Sequence, residues 1–192
     1  MLMRKNANLR TLTVLNKPTT ILHKKYTEKS KNKRIAKIRR QRGYHWEDTI
    51  VKRFNALDDW KAFRLGSPSV ALPDVLVVSS KNSTIFTIEA KSGTGNTLQV
   101  PFDQIIRCLN WTNTFGLYET RKVILAFKFL SKKRVGVGKY ESRELREFFK
   151  VWDETKNAID CVCTYEGKTY AIQSRKRVKL NLKNYKMPFF KP

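Results

Sequence analysis

Apolar positions are spaced in two different ways along this chain, and the change of spacing marks its elements. Trp46, Ile50, Val51, Phe54 and Leu57 fall on one face at about 100° per residue, which predicts an amphipathic helix over 44–57. Glu47 lies inside that stripe and Asp48 outside it. The chain then turns at Asp58-Asp59, and 60–65 reads as a short strand before a loop at Gly66-Ser67-Pro68-Ser69. Two runs rich in β-branched residues, 75–78 and 85–88, flank Ser79-Ser80-Lys81-Asn82-Ser83 and predict a hairpin. A second loop follows over 92–97. Pro101 and Asp103 suit a helix start, and Ile105, Cys108, Leu109, Thr112 and Phe115 keep helical spacing up to Gly116. The nearly continuous apolar run 123–129 predicts a central strand. A further helix is expected over 141–152, and 159–165 with 169–173 flank Glu166-Gly167 as a late hairpin. This order predicts an α/β fold, one mixed central β-sheet flanked by helices.

The two ends of the chain carry little of this periodicity. Residues 1–40 read as a basic, disordered arm, 41–173 as the folded body, and 174–192 as a basic C-terminal segment. Tyr185, Phe189 and Phe190 in that segment are expected to pack onto the body.

Composition adds the partner class. Of 192 residues, 41% are apolar, enough to bury a core and to exclude a wholly disordered chain. The chain holds 40 Lys and Arg against 16 Asp and Glu, a net charge of +24. The arm does not account for all of it, because residues 43–192 hold 26 basic against 15 acidic residues. A folded body this basic points to nucleic acid first and an anionic membrane second. No apolar run approaches the ~18 residues of a membrane span, and the N-terminus lacks a secretory h-region. The three cysteines, Cys108, Cys161 and Cys163, match neither a disulfide framework nor a zinc ribbon, so reduced, buried thiols are expected. Together these features predict a cytoplasmic, nucleoid-associated protein.

The chemistry is concentrated in the first hairpin. If its turn is centred between Lys81 and Asn82, paired residues have numbers summing to 163, and Asp74 faces Glu89. Directly opposed residues share a sheet face, with Cβ atoms ~5 Å apart. Lys91, two residues beyond Glu89, shares that face. Two opposed carboxylates repel unless a proton or a cation lies between them. Oxygen ligands with open positions suit Mg²⁺. Glu47 adds a third carboxylate, on a helix stripe that must face the sheet, where a lone charge is costly. Singly, each has an ordinary reading: Asp74 a turn residue after Pro73, Glu89 and Lys91 a solvated strand face, Glu47 an acid near a helix start. Neither His23 nor His45 lies in a nucleophile pattern.

Pro73-Asp74, fourteen intervening residues and then Glu89-Ala90-Lys91 match the PD-(D/E)xK nuclease signature. Arg42-Gly43, Glu47 opening a helix, Phe63-Arg64, Gly66-Ser67 and the strand ending Ala126-Phe127-Lys128-Phe129 resemble the archaeal Holliday-junction resolvase branch of that superfamily. The resemblance is strongest over 41–130. It implies a restriction-endonuclease-like fold and a homodimeric, Mg²⁺-dependent endonuclease, with Mn²⁺ as substitute, that resolves four-way DNA junctions by paired nicks. It makes Asp74, Glu89 and Glu47 the metal ligands, and Lys91 the residue that positions or activates the attacking water. Arg42, Arg64 and Lys91 are then DNA contacts, and Ser67 stands near the scissile phosphate, with Ser69 competing for that role. Branched double-stranded DNA is the implied substrate, and recombination or replication proteins are implied partners. For the dimer interface the sequence offers two candidates, 103–115 and 123–129. Two other functions remain open at this point: a nuclease of the same superfamily on other DNA structures, of restriction or repair type, and a non-enzymatic basic nucleic-acid-binding protein.

Overall fold

The computed structural model describes residues 20–65, 71–153 and 159–190. The chain forms two units, Met1–Lys37 and Ile38–Pro192. What is described of the first is the beginning of helix α1 (Thr20–Asn55). The helix expected over 44–57 is therefore the last part of a longer one. No proline and a single glycine, Gly43, interrupt α1, so nothing local stops it from starting at Thr20.

In the second unit a five-stranded sheet forms from β1 (Lys61–Arg64), β2 (Val75–Ser79), β3 (Thr84–Gly93), β5 (Thr120–Phe129) and β8 (Arg146–Val151), in the order β1-β2-β3-β5-β8. β3 and β5 run parallel and the other neighbours antiparallel, so the sheet is mixed. The crossover between β3 and β5 carries β4 (Thr97–Val100) and α2 (Phe102–Thr114). Short β6 (Lys132–Arg134) and β7 (Tyr140–Ser142) pair with each other. A second, antiparallel sheet is built from β9 (Cys161–Thr164), β10 (Thr169–Gln173) and β11 (Lys176–Lys179), with β4 joining as its edge, in the order β11-β10-β9-β4. The fold is mixed α/β with a central mixed sheet flanked by helices, as the element order predicts.

Each face of the central sheet has its own core. On one face Trp46, Ile50 and Phe54 of α1 pack against Val75, Val77, Phe86, Ile88, Ile124 and Ala126, all buried. Trp46 Nε1 donates to Ala126 O at 3.2 Å, which meets the only polar demand of that ring. On the other face Ile105 and Cys108 of α2 pack against Val123, Leu125 and Phe127, and β9 and β10 close the cluster with Cys161, Cys163 and Ala171. All three thiols are free and buried, and burial pushes those of Cys161 and Cys163 up to about 12. The turn between β9 and β10 needs Gly167: its φ is +78°, and a Cβ there would stand 2.6 Å from the Phe148 ring.

Two expectations change. Residues 141–152 form β7 and β8 rather than a helix. β8 lies antiparallel on β5, with Phe149 buried beside Trp46 on one face and Phe148 against Phe129 on the other. Burial on both faces removes the alternation by which a strand is recognised in sequence. β5 has neighbours on both edges and buried side chains on both faces, so 123–129 cannot supply a dimer interface. The aromatic residues beyond residue 173 pack onto the body as expected, Phe189 at 5.0 Å from Phe54, and Leu180, Leu182 and Met187 add to the two cores. No helix among the described residues is long and apolar enough to cross a membrane.

Candidate active site

The hairpin of β2 and β3 has the register read from the sequence: Val75 pairs with Ile88 and Ser79 with Thr84, numbers that sum to 163. Asp74, one residue before β2, therefore comes level with Glu89. Its backbone oxygen accepts from Leu65 N at 3.0 Å, which ties it to the end of β1. Its Oδ2 accepts from Ala90 N at 2.8 Å, which ties its side chain to β3. Asp74 is thus held from two strands.

Glu89 is completely buried. It shares its strand face with Thr87, which donates to Cys108 O of α2 at 3.0 Å, so Glu89 looks toward α2. Lys91 Nζ donates to Glu89 Oε1 at 2.6 Å, and Arg107 Nη2 of α2 donates to Oε2 at 2.9 Å. Burial raises the Glu89 carboxyl above its ordinary range and the nearby Asp74 charge adds to this, while Lys91 and Arg107 pull it back. Arg107 is the residue that sequence reasoning missed. The available signal was weak: a cation beside Cys108 on the edge of an apolar stripe.

Glu47 is also buried, at 6% exposure. Its Oε2 has no hydrogen-bond partner among the described residues, and Arg64 Nη1 stands 4.0 Å away. Arg64 is turned toward Asp48, with Nε 3.2 Å from Oδ1, and its guanidinium lies over the Tyr44 ring at 4.8 Å. Burial pushes the Glu47 carboxyl up to about 7. Asp74 and Glu89 push the same way, and Arg64 and Lys91 oppose them. Those neighbours place Glu47, Asp74, Glu89 and Lys91 in one electrostatic group, drawn from α1, the start of β2, and β3.

Among the described residues no contact draws Arg42 into that group. It lines a cavity of about 210 Å³ with His45, Ser92 and Lys128. Ser67 lies outside the described residues, as does Ser69.

Among the described residues no three His, Cys, Asp or Glu groups are closed into a ready coordination set. Both oxygens of Glu89 already hold a cation. A metal there competes with Lys91 and Arg107. The donors themselves suit a hard divalent cation such as Mg²⁺: carboxylate oxygens only, one of them buried and without a hydrogen bond among the described residues. Gly43 leaves room beside that group, since a Cβ there would be 3.6 Å from Glu47 Oε1.

Glu47 sets a pH dependence for the metal-free protein. Its folded-state value, about 7, is above the ordinary 4.5, so the folded state holds this proton more tightly. Stability from that proton is present below pH 4.5 and is lost as the pH rises through 7. Glu47→Gln is expected to gain about 2–3 kcal/mol over wild type at pH 8, with little gain at pH 4.5. Urea unfolding in EDTA at the two pH values measures this. Parallel pH profiles for the two proteins would show that Glu47 is not desolvated.

No protein-family model matches the chain, and no curated protein does. The structure is similar to that of a Holliday junction resolvase from Archaeoglobus fulgidus, an archaeal hyperthermophile. The identity is 13%, the TM-score is 0.44, and the match covers 65% of this chain and 85% of that one.

Proposed function

We propose that this protein is a divalent-metal-dependent DNA endonuclease that resolves four-way junctions by paired nicks. One observation carries the reading: three carboxylates and a lysine from three separate elements converge in a chain of net charge +24, and one buried carboxylate oxygen has no hydrogen-bond partner among the described residues. Acids gathered beside the place where phosphates must come weaken binding unless they hold a cation. The PD-(D/E)xK spacing supports the chemistry, and the Arg42-Gly43, Phe63-Arg64 and Gly66-Ser67 resemblance supports the junction.

Asp74, Glu89 and Glu47 would hold the metal, Mg²⁺ or Mn²⁺. Bound there, it would supply charge against the phosphoryl oxygens and acidify a water. Lys91 places an ammonium beside the water that attacks, where negative charge develops. Arg107, pinned on Glu89 Oε2, opposes the rise that burial imposes on that carboxyl and holds its plane. The backbone anchors of Asp74 hold its carboxylate still, and in-line attack on a phosphodiester rewards that positioning. Arg64 stands beside Glu47 as a contact for the DNA backbone. Two copies related by a two-fold axis would present two sites to a pseudo-symmetric junction, as paired nicking requires.

The test sets a labelled four-way junction beside its linear arms, with Mg²⁺ and then with EDTA, for wild type and Asp74→Asn. Symmetric paired nicks in the junction alone are expected, lost in EDTA and in the variant, while Asp74→Asn still binds the junction. Cutting of linear arms at the same rate would remove the junction specificity. Cutting by Asp74→Asn at the wild-type rate would overturn the site.

A further inference from the structure

A second basic feature lies away from the carboxylates. A cavity of about 750 Å³ opens between the start of β5, the end of β8 and the segment after β11. Its walls are set by backbone bonds: Trp152 N donates to Val123 O at 2.9 Å and Val151 N to Lys183 O at 3.0 Å. Arg121, Lys122, Lys179 and Lys183 line it, with Asp153 as the one acid among its described lining residues. None of those four cations makes an ion pair among the described residues. Lys91, Arg107 and Arg64 at the candidate active site are all paired with acids. Four like charges around one cavity, with no ion pair among the described residues, repel each other, and an anion relieves them. Trp152, 2% exposed, also lines the cavity and joins it to the core behind.

The positive charge continues beyond the cavity. Lys179 ends β11, whose four residues are all exposed and three of them basic. The turn into β11 places Ser174 and Arg175 at φ of 46° and 64°, a backbone strained for residues other than glycine. A track this long fits a polyanion rather than a single phosphate ion.

We infer that this cavity and strand β11 bind the phosphate backbone of DNA at a second site, separate from the one where cutting is proposed. Parallel pairing of β3 with β5 gives the separation. Lys91 is level with Phe127, and Arg121 lies six residues earlier on β5, about 20 Å along the strand. One phosphate cannot reach both places, so a different part of the substrate occupies this one. The identity of the polyanion as DNA rests on the nuclease reading.

The experiment measures binding by the full chain carrying Asp74→Asn, so that no cutting is needed. Fluorescence anisotropy of a labelled junction is followed from low to high salt, with and without Lys122→Ala/Lys183→Ala. The double substitution is expected to weaken binding about tenfold at moderate salt and to lower the salt slope by about 2. Lys61→Ala/Lys139→Ala removes the same charge from exposed positions elsewhere and is expected to change affinity less than twofold. Equal losses from the two pairs would reduce the effect to net charge and overturn the site. Displacement of the junction by millimolar inorganic phosphate or a mononucleotide at constant ionic strength, lost with Lys122→Ala/Lys183→Ala, would assign the cavity to a small anion and also overturn it. If the wild type cuts nothing, the binding comparison still reads; if this site fails, the proposed cutting site is untouched.

Discussion

Lys91→Ala is expected to slow strand cleavage by about 10²–10³-fold while leaving junction affinity within a few-fold of wild type. The magnitude is that of removing one preorganised positive or donor group from a site of developing negative charge. The substitution is clean because Glu89 keeps its other partner: Arg107 Nη2 stays 2.9 Å from Oε2 after Lys91 is gone. Lys91 is also the more exposed partner, with 25% of its side chain accessible against 12% for Arg107, so its loss leaves a solvated gap rather than a hole in the core. Single-turnover cleavage at saturating protein separates the two effects. A variant that binds weakly but cuts bound DNA at the wild-type rate would make Lys91 a binding residue and remove it from the chemistry.

Arg107→Ala is expected to be the costly one for folding, by about 3 kcal/mol at neutral pH. Glu89 has no exposed surface, and Arg107 is its less solvated partner. Without the guanidinium a buried carboxylate is left with one neutralising group. The sign with pH follows. The Glu89 carboxyl already lies above its ordinary value in the folded state, so its protonated form contributes stability at low pH that is lost as the pH rises. Removing Arg107 raises that carboxyl further, so the deficit should be large near pH 8 and should shrink toward pH 4.5. Thermal or urea unfolding of the two proteins across that range measures it. A deficit under about 0.5 kcal/mol at pH 8, the size of an ordinary surface substitution, would mean that Lys91 alone suffices for Glu89.

What local patterns determined here is substantial. The register of the first hairpin follows from the length of its turn and the two β-branched runs beside it. Once it is set, side-chain alternation with period two brings Asp74, Glu89 and Lys91 together whatever surrounds them. The apolar stripe of α1 carried Glu47 inward with Trp46 and Ile50, because a residue inside a buried helix face has nowhere else to go. The start of α2 after Pro101 and its stop at Phe115 were legible for the same local reason, a proline that cannot continue the preceding pairing and a glycine that follows.

The rest depended on contacts between residues far apart in the chain. Residues 146–151 pair as a strand because β5 presents an open edge, and cross-strand burial of Phe148 and Phe149 outweighs any local preference for helix. β4 leaves the central sheet and pairs with β9, more than sixty residues later, a partnership with no local signature. Arg107 meets Glu89 only because α2 docks on β3 through Thr87 and Cys108, which sets the rotation of the helix about its axis. The basic cavity forms only where the end of β8 meets the segment after β11. The sequence by itself determined which carboxylates and which lysine share a face, because that is a matter of spacing along one or two neighbouring strands. Only the tertiary structure decided which cations neutralise them and where the remaining positive charge gathers, because ion pairs are made by the packing of separate elements.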